Sequence, residues 1–155
     1  MVAPLNPLPA SGTFSGGEHR FPVRVYFEDT DVSGVVYHAN YLRYMERARS
    51  DMLRVAGIDQ RGTIDAGGGY YAIADLNLRY LRPARLDDDL VVVSRVNAVR
   101  AASIIIDQAI WCGTEQLTAG TVTAAFLSAS GRPQRQPAAW LAIFNRLISG
   151  EELPS

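Results

Sequence analysis

The amino-acid sequence predicts an α+β fold in which a five-stranded antiparallel sheet accompanies one long central helix. A chain of 155 residues suits one domain with a single hydrophobic core. The apolar residues of 41–55 recur at intervals of three and four, the spacing of an amphipathic helix. One β-rich stretch precedes this helix and four follow it. Because the later four are joined by short connections, neighbouring strands are expected to run antiparallel.

The first strand is predicted at residues 21–29, where apolar and polar residues alternate. Residues 1–20 are rich in Pro, Gly and Ser and predict a flexible tail ahead of a single domain at 21–150. The N-terminus lacks the basic and hydrophobic regions of a signal peptide, and no apolar run reaches the length of a membrane span. We therefore expect a cytoplasmic protein that does not span a membrane.

The central helix is predicted to begin at residue 38, in the loop that follows the first strand, and Gly57 is well placed to end it. Leu42 and Leu53 widen its apolar stripe, so most of its circumference should be covered by other parts of the chain. We therefore expect this helix to lie inside the core.

The later strands are predicted at 70–82, 89–99, 101–112 and 115–129, and a short helix is predicted after Gly131. The first and third of these strands carry apolar residues on both faces. One helix cannot cover both faces of such a sheet, so we expect the chain to associate with itself as a homodimer or homotetramer.

Composition excludes several kinds of chemistry. All 15 basic residues are Arg, so a Schiff-base or general-base lysine is absent. One cysteine and two histidines rule out a disulfide scaffold and a cysteine-based zinc site within one chain. A net charge of -1 provides no cationic excess for nucleic acid. With His19 placed in the tail, Ser33 and Ser130 lack a His–acid pair, which argues against a serine hydrolase.

The loop at 28–41 joins the first strand to the central helix and concentrates acidic, aromatic and histidine side chains. Free amide N–H groups at the start of the helix stabilise negative charge, so those of His38 or Ala39 could polarise an ester or thioester carbonyl. Asp31 could then act as the nucleophile or as a general base for water. Asp29 is expected to support the loop through hydrogen bonds, and a turn or helix-cap role is the alternative for both aspartates.

Residues 23–53 carry a resemblance to a known family, through the string VRVYFEDTDVSGVVYHANYLRYMERARSDML. The pattern D-x-x-G-x-V-Y-H-x-x-Y from Asp31 to Tyr41 is its most specific part, and the likeness continues through LRYLRPARLDDDL to about residue 137. The chain resembles the YbgC-like acyl-CoA thioesterases associated with the Tol-Pal system, a branch of the hotdog-fold 4-hydroxybenzoyl-CoA thioesterase family.

This resemblance implies that the sheet wraps around the central helix and that two protomers join their sheets side by side, with the active site at their interface. It implies that Asp31 is the catalytic carboxylate and that the backbone N–H of His38 polarises the thioester carbonyl. The ring of His38 as a general base is an alternative. No metal and no cofactor is expected, coenzyme A being part of the acyl-CoA substrate.

Further substrate contacts are expected from residues around the loop, on the helix and at strand ends. For the tyrosines among them, a place in the core is the alternative, and for Glu46 the alternative is an ion pair with Arg43 or Arg49. Two arginines are candidates for the coenzyme A phosphates. The predicted set is Gly34, Val36, Tyr37, Tyr41, Glu46, Arg82 and Arg132.

Two other functions compete with acyl-CoA hydrolysis. A hotdog dehydratase would act on hydroxyacyl thioesters, but such enzymes pair a histidine and a carboxylate in a different loop pattern. A non-catalytic module would bind acyl-CoA or acyl carrier protein without cleaving it. Release of free thiol separates hydrolysis from both.

Overall fold

The computed structural model describes residues 5–153, which form one six-stranded antiparallel sheet and three α-helices. The strands lie in the order β1-β2-β4-β5-β6-β3. The α+β class and the long helix between the first strands and the last four are confirmed. The elements are β1 (Thr13–Ser15), β2 (Glu18–Arg24), α1 (His38–Val55), α2 (Gln60–Asp65), β3 (Tyr70–Tyr80), β4 (Asp89–Val99), β5 (Ser103–Cys112), β6 (Glu115–Leu127) and α3 (Ala138–Ser149).

The sixth strand arises because β1 and β2 form a hairpin in the region assigned to the flexible tail. Gly16 adopts a positive φ of 59° at its turn, a conformation that glycine reaches without strain. The domain therefore begins near Thr13, and the predicted boundary at residue 20 lies too far along the chain. A Gly-rich composition suggested disorder here, whereas the two glycines mark a turn between paired strands.

The predicted first strand also ends earlier than expected. β2 stops at Arg24, and residues Phe27–Asp29 form a short 3-10 turn. The Asp29 carboxylate accepts a hydrogen bond from the backbone N–H of Tyr26 at 2.9 Å, which closes this turn. The alternation of apolar and polar residues continued into the turn, so periodicity alone did not reveal the end of the strand.

The central helix α1 lies against one face of the sheet, with its apolar side in the core as predicted. Fully burying a large apolar side chain contributes about 1.5–3 kcal/mol, so this face supplies much of the stability. The sheet meets the helix through the alternate, inward-facing residues of β4, β5 and β6. The buried side chains of α1 include Tyr41, Tyr44, Met45, Ala48, Met52 and Leu53.

The predicted C-terminal helix is present as α3 and packs on the same side of the sheet as the end of α1. Trp140, Phe144 and Leu147 share a buried cluster with Met52 and Leu53. The short helix α2 falls in a segment predicted as loop, and Asp59 caps it by accepting a hydrogen bond from the N–H of Gly62 at 3.0 Å.

Strand β3 forms one edge of the sheet, where its outer backbone groups have no neighbouring strand among residues 5–153. Several of its large apolar side chains are exposed, among them Ile73, Leu76 and Tyr80. An 11-residue exposed edge is a surface suited to pairing with another chain. Self-association remains a prediction. No helix of residues 5–153 is long and apolar enough to cross a bilayer.

Candidate active site

The loop between β2 and α1 is a tight, internally paired structure. Its tip is a turn closed by the N–H of Gly34 donating to the carbonyl of Asp31 at 3.0 Å. Isolated β-bridges join Thr30 to Val36 and Val35 to Arg85 on either side of it. Gly34 has a φ of +82°, and a Cβ there would meet nothing within 4 Å. Glycine is therefore required for the backbone conformation of the turn, and the protomer itself leaves open space above it.

Asp31 is exposed at this tip, and its carboxylate is held by one neighbouring residue. Oδ1 accepts a hydrogen bond from the backbone N–H of Ser33 at 2.8 Å and another from the Ser33 hydroxyl. These bonds hold the pKa of Asp31 below its usual value, and the nearby His38 lowers it further. The carboxylate is therefore ionised at neutral pH and has a fixed orientation.

Helix α1 begins at His38 with no side chain capping its first turn. Tyr37 occupies the N-cap position and makes no side-chain cap hydrogen bond. Within residues 5–153, no hydrogen bond engages the backbone N–H of His38 or Ala39. The first N–H groups of a helix lack partners in the helix itself, so these two are available to an oxygen of a ligand.

Asp29 joins the loop to the start of the helix through hydrogen bonds. Its backbone carbonyl accepts hydrogen bonds from the N–H of Tyr37 at 2.9 Å and from the side-chain amide of Asn40 at 2.8 Å. Its carboxylate is occupied by the N–H of Tyr26. The expectation that Asp29 supports the loop is confirmed, and the pairing of Asn40 with its carbonyl was not foreseen.

Tyr80, like Asn40, contacts the candidate site and was not predicted from the sequence. Its hydroxyl donates to the backbone carbonyl of His38 at 2.7 Å, and its ring packs edge-on against Tyr41. This contact ties the end of the edge strand β3 to the first turn of α1. The LRYLRP string pointed to a family position here, but only the pairing of the elements reveals the contact.

Two of the predicted substrate residues lie in the core of the protomer. Val36 is buried, and Tyr41 is 3% exposed with its hydroxyl accepting a hydrogen bond from the N–H of Ala84 at 2.9 Å. Tyr41 is therefore a core residue of this protomer, which was the alternative to a substrate contact. Tyr37 instead is 46% exposed and packs beside the His38 ring.

The charged candidates lie in three different places. Glu46 is exposed and contacts Arg49 at 3.4 Å, the ion pair foreseen as an alternative to a substrate contact. Arg82 follows β3 close to Tyr80 in the chain and pairs with Glu115 at 3.1 Å on the surface. Arg132 follows β6, in the loop beside Tyr70 at the opposite end of β3. One protomer therefore does not bring Arg132 to Asp31.

A second acid lies near the other end of α1, in a buried cluster. Asp51 accepts hydrogen bonds from His19 Nε2 at 2.7 Å, the N–H of Gly12 at 2.8 Å and the hydroxyl of Ser11 at 3.0 Å. The placement of His19 in a tail was wrong, since this residue is fully buried. The serine hydroxyl contacts the acid and not the imidazole, so the cluster does not have the order of a catalytic triad.

Several known proteins are similar to this chain in sequence and in structure. The family model described as "Thioesterase superfamily" matches residues 33–119. The acyl-CoA thioesterase YbgC of Haemophilus influenzae is 41% identical over 105 residues, covering 68% of this chain and 77% of that protein. A probable thioesterase from Bartonella henselae, known from its crystal structure, is 34% identical with a TM-score of 0.69, covering 77% of this chain and 98% of that one.

A more distant structure supports the fold alone. A DHNA-CoA thioesterase from Staphylococcus aureus superimposes with a TM-score of 0.80 at 20% identity, covering 85% of this chain and 91% of that one. The hotdog fold of the protomer, implied by the sequence resemblance, is thereby confirmed, with six strands in the sheet and not five.

Proposed function

The chain belongs to the thioesterase superfamily, as a thioester hydrolase similar to the YbgC acyl-CoA thioesterases, and from this premise we propose that it cleaves acyl-CoA at the loop between β2 and α1. The observation that carries the proposal is an ionised, oriented carboxylate at Asp31 close to a helix start whose first N–H groups are free.

The helix start would activate the thioester carbonyl for attack. A thioester oxygen placed against the N–H groups of His38 and Ala39 would accept hydrogen bonds at the positive end of the α1 dipole. Negative charge grows on that oxygen as the carbonyl carbon is attacked. Preorganised donors of this kind lower the barrier because they bind the transition state more strongly than the substrate.

Asp31 would bring about the attack on the carbonyl carbon by one of two routes. As nucleophile, a carboxylate oxygen attacks the carbonyl carbon, the C–S bond breaks, and the thiolate leaves as coenzyme A after taking a proton. Water then hydrolyses the resulting anhydride and restores the carboxylate. As general base, Asp31 instead removes a proton from the attacking water. Its lowered pKa keeps the carboxylate ionised at neutral pH, the form that both routes require.

We propose that a second copy of the chain completes the site, by pairing its β3 edge with β3 of the first. Exposed apolar side chains surround the Asp31 loop and the adjacent end of β3, including Phe27, Val32 and Leu81. Patches of this kind on a folded surface are typical of interaction sites. A dimer built in this way would cover the open space above Asp31 and Gly34.

Antiparallel pairing of the two β3 edges also suggests a place for coenzyme A. It would bring the Tyr70 end of one β3 towards the Tyr80 end of the other. The partner subunit's Arg132 would then approach Arg82 near the catalytic loop, and the two guanidinium groups could bind phosphate. The dimer or tetramer is checked by sedimentation velocity at the concentrations used for activity.

The competing functions differ in their products. A dehydratase would yield an enoyl thioester without releasing thiol, and a binding module would leave the thioester intact. Acyl carrier protein as donor of the acyl group, the cytoplasmic location and the association with the Tol-Pal system stay predictions.

Replacement of Asp31 by Asn tests the proposal, with free thiol measured across short, long and aromatic acyl-CoAs. We expect turnover to fall at least about a thousandfold, because the amide is neither a nucleophile nor a base. The fold should be retained, since Asp31 is exposed and bonded only within its own turn. The matched control is Glu28→Gln, which removes an exposed carboxylate from the same loop. Full activity in the Asp31 variant would refute the proposed role.

A further inference from the structure

A cavity of about 230 Å³ lies between α1 and the edge strand β3, away from the Asp31 loop. Polar and apolar groups line it in similar measure, and most of the polar groups come from α1. It lies on the helix face that includes Glu46, Arg49 and Leu53, at spacings of three and four residues. The apolar lining comes from Leu53, Tyr71, Ala72, Ile73, Ile104, Ile106 and Ala124.

The cavity and the Asp31 loop both lie where β3 faces α1, at different points along the helix. Tyr80 meets α1 at His38, while Tyr71 and Ile73 line the cavity with residues further along the helix. From His38 to Arg49 the helix axis advances about 16 Å, at about 1.5 Å per residue. Between the two points, alternate residues of β3 present apolar side chains on the face that carries Tyr80, namely Leu78 and Leu76. An acyl group whose carbonyl lies at the helix start could therefore extend along β3 into the cavity.

Arg49 carries a positive charge into this cavity. Its side chain is only 12% exposed, and Nη1 donates to Oε1 of Gln108 at 2.8 Å. Among residues 5–153 its one carboxylate partner is Glu46, which is 3.4 Å away and itself 70% exposed, so solvent weakens the pair. These contacts use two of the five N–H donors of the guanidinium, which leaves three for a ligand.

Gln108 holds the guanidinium in place. It is buried on the inner face of β5, and its Nε2 donates to the carbonyl of Met45 at 3.0 Å and to the hydroxyl of Ser94 at 2.9 Å. With both N–H groups used, its Oε1 must face Arg49. A buried amide fixed in this way orients the arginine before any ligand arrives.

The other polar groups at the cavity add further donors. Ser50 and Gln60 line it, and within residues 5–153 their side chains make no hydrogen bond. Both side chains can donate a hydrogen bond to a ligand oxygen, and Glu46 at the rim is the one carboxylate among the lining residues. A carboxylate entering the cavity would displace the weak Glu46 contact and could bind the guanidinium through two parallel hydrogen bonds.

On the premise of the proposed thioesterase function, we propose that this cavity binds the distal end of the acyl group and that Arg49 selects acyl-CoA substrates whose acyl chain ends in a carboxylate. Arg49 is thus a specificity-determining residue, and Asp31 performs the chemistry irrespective of the distal group. The span from the helix start predicts acyl chains of about 8 to 12 carbons, given carbon–carbon bonds of about 1.5 Å.

The first test uses the wild-type protein. Thiol release is measured for acyl-CoAs of about 8 to 12 carbons that end in a carboxylate, and for the methyl esters of the same substrates. We expect kcat/KM to be about 10 to 100 times higher for the free acids, mainly through KM, because a charge-assisted hydrogen-bonded pair is made only with them. Equal kcat/KM for the two series would overturn the inference while leaving thioester hydrolysis intact. If no acyl-CoA at all released thiol, the proposed function itself would be refuted.

The second test replaces Arg49 by Met, which keeps the aliphatic stem and removes the charge. The preference for the free acid should be lost, while kcat/KM for the methyl ester stays within about threefold. Arg49→Lys should retain part of the preference, since a point charge remains without the planar fork. Arg54→Met on the exposed side of the same helix is the control. An equal loss for both substrates in Arg49→Met, with the fold intact by circular dichroism, would indicate a structural role and overturn the inference.

Discussion

Two aspartates, one ahead of the central helix and one near its C-terminal end, show what environment does to the same chemical group. Asp31 lies seven residues before the helix starts, is exposed, and is held only by Ser33, two residues away. Asp51 lies near the end of the helix, is 4% exposed, and accepts three hydrogen bonds from residues at least 32 positions away. The first acid is accessible to a substrate, and the second joins distant parts of the chain.

The comparison separates the arrangement proposed for catalysis from a structural one. An exposed carboxylate with local hydrogen bonds keeps its charge and can reach a ligand, at little cost to folding. A buried carboxylate must have its charge compensated by several donors, because an unpaired charge in the interior is strongly unfavourable. The Asp51 cluster attaches the hairpin of β1 and β2 to α1, and we expect it to determine stability and not turnover.

The largest expected effect on stability is that of Asp51→Ala. This change leaves His19 Nε2 and the N–H of Gly12 buried without their acceptor, so the free energy of unfolding should fall by about 3–5 kcal/mol. Urea denaturation measures it, and Asp65→Ala, which breaks an exposed pair with Arg61, is the control with a change below about 0.5 kcal/mol. A similar stability for both variants would show that the cluster contributes little.

A smaller effect on the free energy of unfolding is expected when pH changes the protonation of His19. Burial lowers the pKa of His19, and the hydrogen bond and charge of Asp51 offset only part of that shift. Below about pH 6.5 the unfolded chain therefore binds a proton that the folded protein resists, and the free energy of unfolding falls as pH decreases. The slope can reach about 1.4 kcal/mol per pH unit for one group. His19→Gln cannot titrate, so its stability should depend less on pH between about pH 5 and 8; identical pH profiles would contradict this account.

The smallest effect is expected from Ser33→Ala, which removes one of the two hydrogen bonds that Ser33 makes to Asp31. Because these bonds lower the pKa of Asp31, their partial loss should raise it and move the acidic limb of the kcat/KM profile to higher pH. At neutral pH the carboxylate remains ionised, so activity should change by less than about threefold. Ser149→Ala, at an exposed position at the end of the C-terminal helix, is the control, and an unchanged acidic limb in Ser33→Ala would count against Asp31 as the titrating group.

Parts of the fold with strong local signals were predictable. The 3–4 spacing of apolar residues predicted α1, and the β-branched stretches predicted the last four strands. The β1–β2 hairpin was missed because its glycines were taken as evidence of disorder, although two adjacent glycines are also typical of a tight turn. The helix α2 was missed because six residues are too few to show a helical period.

For the candidate site, the sequence indicated the loop, the carboxylate at Asp31 and the helix start, since all three are adjacent in the chain. It did not indicate Tyr80 or Arg49, whose roles depend on elements that meet only in the folded protein. One signal was available. Gln108 interrupts the inward-facing isoleucines of β5, and a polar residue at such a position indicates a buried polar network.

The chain by itself therefore determined the class of fold and the position of the candidate loop, because periodicity and turn chemistry act between residues close in sequence, and its motif indicated the family by resemblance. Tertiary structure decided what each polar group does. Burial and long-range hydrogen bonds made a structural anchor of the Asp51–His19 pair, and the pairing order of the strands placed β3 at the edge beside α1. Those contacts join residues far apart in the chain, and their energies depend on how much solvent the surrounding fold excludes.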